Sequence, residues 1–166
     1  MKLNIGCGER VLAGYVGVDI AARNAATIRA PAHDLPIEDG VADEVLAIHL
    51  IEHIYEWEVD DTLKEWARVL KKGGTLAIEA PDIFKACRNV AAGVKGVKHP
   101  DQLGMWGIFG DPTVKDQHML HKWGWSFSTL LPRVKAAGFV SVIEAQTHFH
   151  TVGRANRDFR LEARRG

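Results

Sequence analysis

The chain has 166 residues, 46% of them apolar and 25% charged, with a formal net charge of zero. That length reads as one domain around one core, and zero net charge leaves no global field to draw nucleic acid or an anionic membrane. No apolar run approaches the ~20 residues that span a bilayer. Two cysteines, Cys7 and Cys87, make no disulfide framework, so a reduced, cytoplasmic setting is expected. The chain enters a strand almost at once, and no leader peptide is expected.

Leu3-Asn4-Ile5-Gly6-Cys7-Gly8 reads as a strand running into a glycine turn. Tyr15-Val16-Gly17-Val18-Asp19-Ile20 reads as a second strand ending in a carboxylate. This is the opening of a nucleotide-binding α/β domain. The glycines let a ligand approach the backbone, and Asp19 can accept from two vicinal ribose hydroxyls. A dinucleotide fingerprint needs a third glycine where Val11 stands, and its acid about 20 residues on. A nucleoside ligand without a pyrophosphate therefore fits better than a nicotinamide or flavin cofactor. The link from Gly8 to Tyr15 is shorter than the ~10–12 residues of a crossover with its helix. The first helix is expected to be reduced to one turn around Glu9–Leu12.

Ala21–Ala30 reads as a short, poorly patterned helix, and residues 31–36 as a short strand and loop. Asp39-Gly40 is a turn signal. Asp43–Leu50 reads as a fourth strand, buried on both faces as in a parallel sheet. Glu58–Leu70 is the clearest helix, with Val59, Leu63, Trp66, Ala67 and Leu70 on one face. Asp60 and Asp61 suit its start, Lys71 and Lys72 its end, and Gly73 its C′ position. A strand follows over Thr75–Ala80, and Asp82 is placed to cap a helix over Ile83–Ala92 with Cys87 in its core side.

Residues 95–125 show no periodicity but carry Trp106, Phe109, Trp123, Trp125, His99, His118 and His121. An aperiodic stretch this long within one domain is either functional or disordered; its large aromatics argue against disorder, and its place after the fifth strand makes a lid the expectation. Its tryptophans suit stacking on a sugar or aromatic substrate, or equally a subsidiary core or a homodimer contact. A helix capped by Ser128 or Thr129 follows, burying Leu130, Leu131, Val134 and Ala137. Val140–Gln146 and Asp158–Ala163 are expected to close the chain as an antiparallel hairpin. The arginines at 154, 157, 160, 164 and 165 read as a solvated hairpin and tail, with RNA contact as the alternative.

These segments together resemble a compact, type 11-like class I S-adenosylmethionine-dependent methyltransferase. The resemblance rests on residues 3–8, residues 16–20, Asp-Glu-Val-Leu-Ala-Ile-His-Leu-Ile-Glu-His at 43–53, and Trp-Ala-Arg-Val-Leu-Lys-Lys-Gly-Gly at 66–74. It implies a Rossmann-like, mostly parallel α/β sheet with a C-terminal antiparallel hairpin, and S-adenosyl-L-methionine as cofactor. By the same resemblance, the backbone of Gly6, Cys7 and Gly8 passes under the methionine portion. Asp19 holds the ribose and Ile20 packs on adenine. Asp34 and the Leu35 N–H meet the adenine edge, and His49 and Leu50 line the place where donor and acceptor meet.

A hydroxyl acceptor has a proton to lose, and histidine suits that task near neutral pH. His118 is the expected base, with His121 and His49 as alternatives. His118 and His121 would share a face if both lay on one helical turn. His49-Leu50-Ile51-Glu52-His53 also matches H-x-x-E-H, a zinc-peptidase pattern. That chemistry wants both histidines on a helix, whereas His49 ends an apolar strand, so no metal is assigned. The expected acceptor is a small molecule or glycan, the latter because the resemblance extends to enzymes of surface-polysaccharide pathways. Two other classes stay open: a methyltransferase acting on RNA or protein, and a non-catalytic cofactor-binding protein of the same fold.

Overall fold

In the computed structural model, which describes residues 1–21, 24–149 and 156–166, seven strands form one sheet. They are β1 (Lys2–Ile5), β2 (Val16–Asp19), β3 (Ile28–Arg29), β4 (Ala42–Ile48), β5 (Leu70–Pro81), β6 (Phe139–Ala145) and β7 (Asp158–Arg165). The order is β3-β2-β1-β4-β5-β7-β6. β1 to β5 run parallel. β7 pairs antiparallel with both β5 and β6, so the expected closing hairpin is present.

Helices α1 (Val59–Val69) and α4 (Phe127–Ala136) cover one face of the sheet. Val59, Leu63, Trp66 and Ala67 of α1 meet Leu3, Ile5, Val45, Ala47, Leu76 and Ile78 from the strands. Leu130 and Val134 of α4 join the same cluster. The expected spacing of α1 therefore buries the expected side. Its end differs. Leu70 is extended and pairs with Ala42, and a register shift absorbs Lys71–Gly74 before Glu44 meets Thr75. Gly73 thus turns a bulge in β5, at φ 73°, rather than ending a helix.

Among the described residues, loops rather than a helix pack on the other face. The connection from β1 to β2 holds only turns, closed by Arg10 N–H to Cys7 O and Tyr15 N–H to Leu12 O. The first helix, expected to be reduced, is absent. Leu12, Tyr15 and Phe149 lie instead on Leu46, Ile48 and Ala77. Beside them Glu79, fully buried, accepts from Arg160 Nη1 at 2.9 Å and from the backbone N–H of His148 and Phe149. A buried carboxylate is tolerated when it is paired and its lone pairs are filled in this way.

Three other expectations change. No helix forms over 21 and 24–30. Thr27 and Ala30 donate to Gly17 O and Asp19 O, and these bonds build β3 at Ile28–Arg29, ahead of the loop where a strand was expected. α2 (Ile83–Ala91) starts at the expected cap, Asp82, whose side chain accepts from Lys85 N–H. Ala86 is the buried residue of that helix, and Cys87 is exposed rather than core. α4 is capped by Ser126, two residues earlier than Ser128, in a reciprocal capping box with Thr129. Ser126→Ala is expected to cost about 1 kcal/mol in urea unfolding, and Ser128→Ala only a few tenths. Equal losses would contradict the cap assignment. Arg154 lies outside the described residues.

Residues 95–125 fold into three short helices: 3₁₀ turns at Pro100–Leu103 and Gln117–Met119, and α3 (Met105–Phe109). α3 packs on α2 so closely that a β-carbon at Gly107 would lie 3.0 Å from that of Ala86. Gly107 is therefore a packing residue. Trp125 is buried in the main core, Trp106 stacks on His99 with ring centroids 4.8 Å apart, and Trp123 is half exposed. Among the described residues no helix is long and apolar enough to cross a membrane.

Candidate active site

A cavity of about 900 Å³ opens at the carboxyl ends of β1, β2 and β4, where open parallel sheets hold their ligands. It is of the size that takes a drug-sized molecule. Gly6, Cys7, Gly8, Asp19, Ile20, His49, Leu50 and His118 all line it.

The floor follows from the glycine turn. Gly6 and Cys7 both donate to Val18 O, at 2.8 and 3.1 Å, which folds the turn back over β2. Gly6 sits at φ 65°, and a β-carbon there would lie 2.7 Å from Leu50 Cδ1. Only glycine satisfies both conditions. Cys7 is buried, and burial followed by the charge of Asp19 raises its thiol pKa. It is a small residue in the wall of the cavity.

Asp19, at the tip of β2, accepts from Gly8 N–H and Ala21 N–H, each at 2.9 Å. A carboxylate offers about four lone-pair sites. These two bonds fix its orientation and leave acceptor capacity toward the cavity. Ile20 is 55% exposed along the same wall. The residues present thus fit a nucleoside ligand: a backbone floor, an oriented acid and an apolar ledge.

The two residues expected at the adenine edge lie off the cavity. Asp34 and Leu35 do not line the cavity; Ala30, Pro31, Ala32 and His33 do. Helix α1 sets this. Glu65 takes the Leu35 N–H at 2.7 Å, Trp66 Nε1 donates to Ala32 O at 3.0 Å, and Arg68 donates to Leu35 O and Ile37 O. With Leu35 buried and its N–H bonded to Glu65, the loop presents the preceding residues instead.

His49 closes β4 in the left-handed region, at φ 53°. Its Nδ1 lies 3.0 Å from Glu52 Oε1 and its Nε2 3.1 Å from Asp158 Oδ2. Burial pushes the His49 pKa down, but the bonds to Asp158 and Glu52 outweigh it and raise it to about 9. Carboxylates only accept, so both ring nitrogens donate and His49 is an imidazolium. It lines the cavity as expected, yet holds no lone pair for a proton, which removes it as a base in this arrangement.

His118 and His121 part company. His118 lies on the 3₁₀ turn and faces the cavity beside Val114, Lys115, Asp116 and Met119. His121 lies beyond that turn and off the cavity lining. Its Nδ1 is 3.1 Å from Gly107 O, and its ring meets His53 edge-on with centroids 4.9 Å apart. Burial holds its pKa below the ordinary value. The shared helical face expected for the two histidines does not form.

Residues 3–78 match the family described as methyltransferase domain. None of the curated proteins matches the chain in sequence. Among solved structures, a SAM-dependent methyltransferase from Archaeoglobus fulgidus superposes with TM-score 0.65 at 17% identity, covering 99% of this chain and 85% of that one. A Pyrococcus horikoshii protein gives TM-score 0.66 at 19% identity, covering 99% and 81%. Phosphoethanolamine N-methyltransferase 2 of Haemonchus contortus, solved with S-adenosyl-L-methionine, gives 0.59 at 13% identity, covering 99% of this chain but 48% of that one. The strand order and reversed β7 are those of the class I methyltransferase sheet. The fold is therefore that of the class I methyltransferases, and residues 3–78, a little under half of the chain, are similar to the methyltransferase domain.

Proposed function

We propose that the protein is a methyltransferase that takes S-adenosyl-L-methionine as cofactor and methylates a hydroxyl of a small molecule or glycan. The observation that carries this reading is a single cavity that joins Asp19 on β2 to His118 on the 95–125 segment. β1 lies between β2 and β4, so Asp19 and His49 stand about 10 Å apart across the strand tips at the usual strand spacing. That span suits a ribose at one end and a transferable methyl at the other. The neutral net charge supports a compact acceptor over a nucleic acid.

Gly6, Cys7 and Gly8 carry the methionine portion on their backbone, Asp19 the ribose, and Ile20 with Pro31–His33 the adenine. The bound cofactor supplies an electrophilic methyl on a sulfonium. The protein aligns the acceptor, excludes water and removes the acceptor's proton. His118 takes that proton. The His49 imidazolium, held by Glu52 and Asp158, keeps the tip of β4 rigid beside the reacting groups.

Residues 95–125 act as the lid. Five of them, from Val114 to Met119, wall the cavity, and closure over ligand excludes water. S-adenosylhomocysteine is expected to slow proteolysis within this segment severalfold, read by the appearance of fragments cut between 110 and 120. Equal cleavage with and without ligand would count against a lid. The acceptor class is tested by a screen of hydroxyl-bearing sugars and small molecules, reading S-adenosylhomocysteine release. Turnover on amines or RNA but on no hydroxyl would overturn it.

A further inference from the structure

Behind the His118 wall, Glu52, His53 and His121 each bring one donor atom within 4.8 Å of the others. Two come from the 3₁₀ turn Ile51–His53 that follows β4, the third from the 95–125 segment. His53 also lines the cavity.

The tautomers are fixed from behind. His53 Nδ1 lies 3.1 Å from Leu120 O, and His121 Nδ1 lies 3.1 Å from Gly107 O. A carbonyl only accepts, so each Nδ1 carries a proton and each neutral ring keeps its lone pair on Nε2. This is how metal-bound histidines are oriented. Glu52 is 2% exposed. Its Oε1 is held by His49, which aims the carboxylate, while Oε2 is buried with no hydrogen-bond partner among the described residues. An unpaired buried carboxylate oxygen is costly. A cation between Oε2 and the two rings would satisfy it.

We propose that Glu52, His53 and His121 hold a divalent first-row metal ion at the cavity edge, and that the ion takes an oxygen of the acceptor. Two imidazoles and one carboxylate suit zinc, manganese, iron or cobalt rather than calcium or magnesium. Bonds of about 2.0–2.1 Å in a tetrahedral site put ligand atoms about 3.4 Å apart, so small side-chain rotations close the present spacing. The H-x-x-E-H run then has a different meaning from the peptidase one. Glu52 and His53 are ligands, and His49 is the outer residue that positions Glu52. Lys122 and Trp123 donate to Glu52 O at 2.7 and 3.3 Å, so the ion would also fasten the lid to the sheet. A Lewis acid here lowers the pKa of a bound hydroxyl. The acceptor class this favours is one with a hydroxyl that can ligate, such as a sugar diol. That last step rests on the methyltransferase reading above; the site itself does not.

The test is Co²⁺ titration of chelator-stripped protein, followed by the visible absorption of the bound ion. S-adenosylhomocysteine binding is measured on the same samples. Wild type is expected to take one ion per chain. His53→Ala and His121→Ala should each weaken uptake about tenfold or more, while S-adenosylhomocysteine still binds and so reports an intact fold. His121→Cys should keep the ion and add a sulfur-to-cobalt band. No stoichiometric uptake by wild type, or unchanged uptake in both alanine variants, would overturn the site. Loss of S-adenosylhomocysteine binding by wild type would instead strike the methyltransferase reading and leave the metal result standing.

Discussion

Replacing His118 with alanine is expected to lower turnover about 10²-fold or more while cofactor affinity stays unchanged, the usual worth of a positioned base. Geometry narrows the choice among the three histidines that the motifs raised. Both nitrogens of His49 donate to carboxylates. His121 turns to Gly107 and His53, off the cavity. His118 faces the cavity from an exposed turn whose side chains carry little of the core. Its loss should therefore be visible in kcat with the fold intact. Unaltered turnover on the true acceptor would remove His118 from proton transfer. A matching loss of cofactor binding would make it a structural residue.

Asp19→Ala is expected to weaken S-adenosylhomocysteine binding at least tenfold by calorimetry. A charge-assisted hydrogen bond contributes about 1.5–3 kcal/mol, and 1.4 kcal/mol is already a factor of ten. The substitution also frees the N–H groups of Gly8 and Ala21 that the carboxylate now holds. Asp19→Asn keeps one acceptor oxygen and should fall between wild type and alanine. Unchanged affinity in the alanine variant would take Asp19 out of the site.

The elements legible in the sequence were those whose signal is local. The glycine turn, the acid at the tip of β2, the apolar stripe of α1 and the Asp82 cap each depend on neighbours a few residues away. The misread ones were settled by distant partners. Ile28–Arg29 is a strand because β2 offers Gly17 and Asp19 carbonyls, which no pattern within 21–30 reveals. Leu70 leaves the helix because Ala42 pairs with it. Ser126, Ser128 and Thr129 offer similar hydroxyls in a row, and only the capping-box geometry separates them.

The site divides in the same way. That Gly6, Cys7, Gly8, Asp19, Ile20, His49 and Leu50 would share one cavity was legible because they lie at or just past strand ends. The place of Pro31–His33 was not, because the loop's facing depends on Glu65, Trp66 and Arg68 of α1. The charge state of His49 depends on Asp158, more than a hundred residues away. H-x-x-E-H was set aside as a peptidase pattern, and His121 comes beside Glu52 and His53 only through the fold of the 95–125 segment.

The most direct test is a calorimetric titration of the wild-type protein with S-adenosylhomocysteine. One molecule should bind per chain, saturably, with affinity that falls in Asp19→Ala. A folded wild-type protein that takes up no S-adenosylhomocysteine at millimolar concentration would contradict a cofactor site at the tips of β1, β2 and β4.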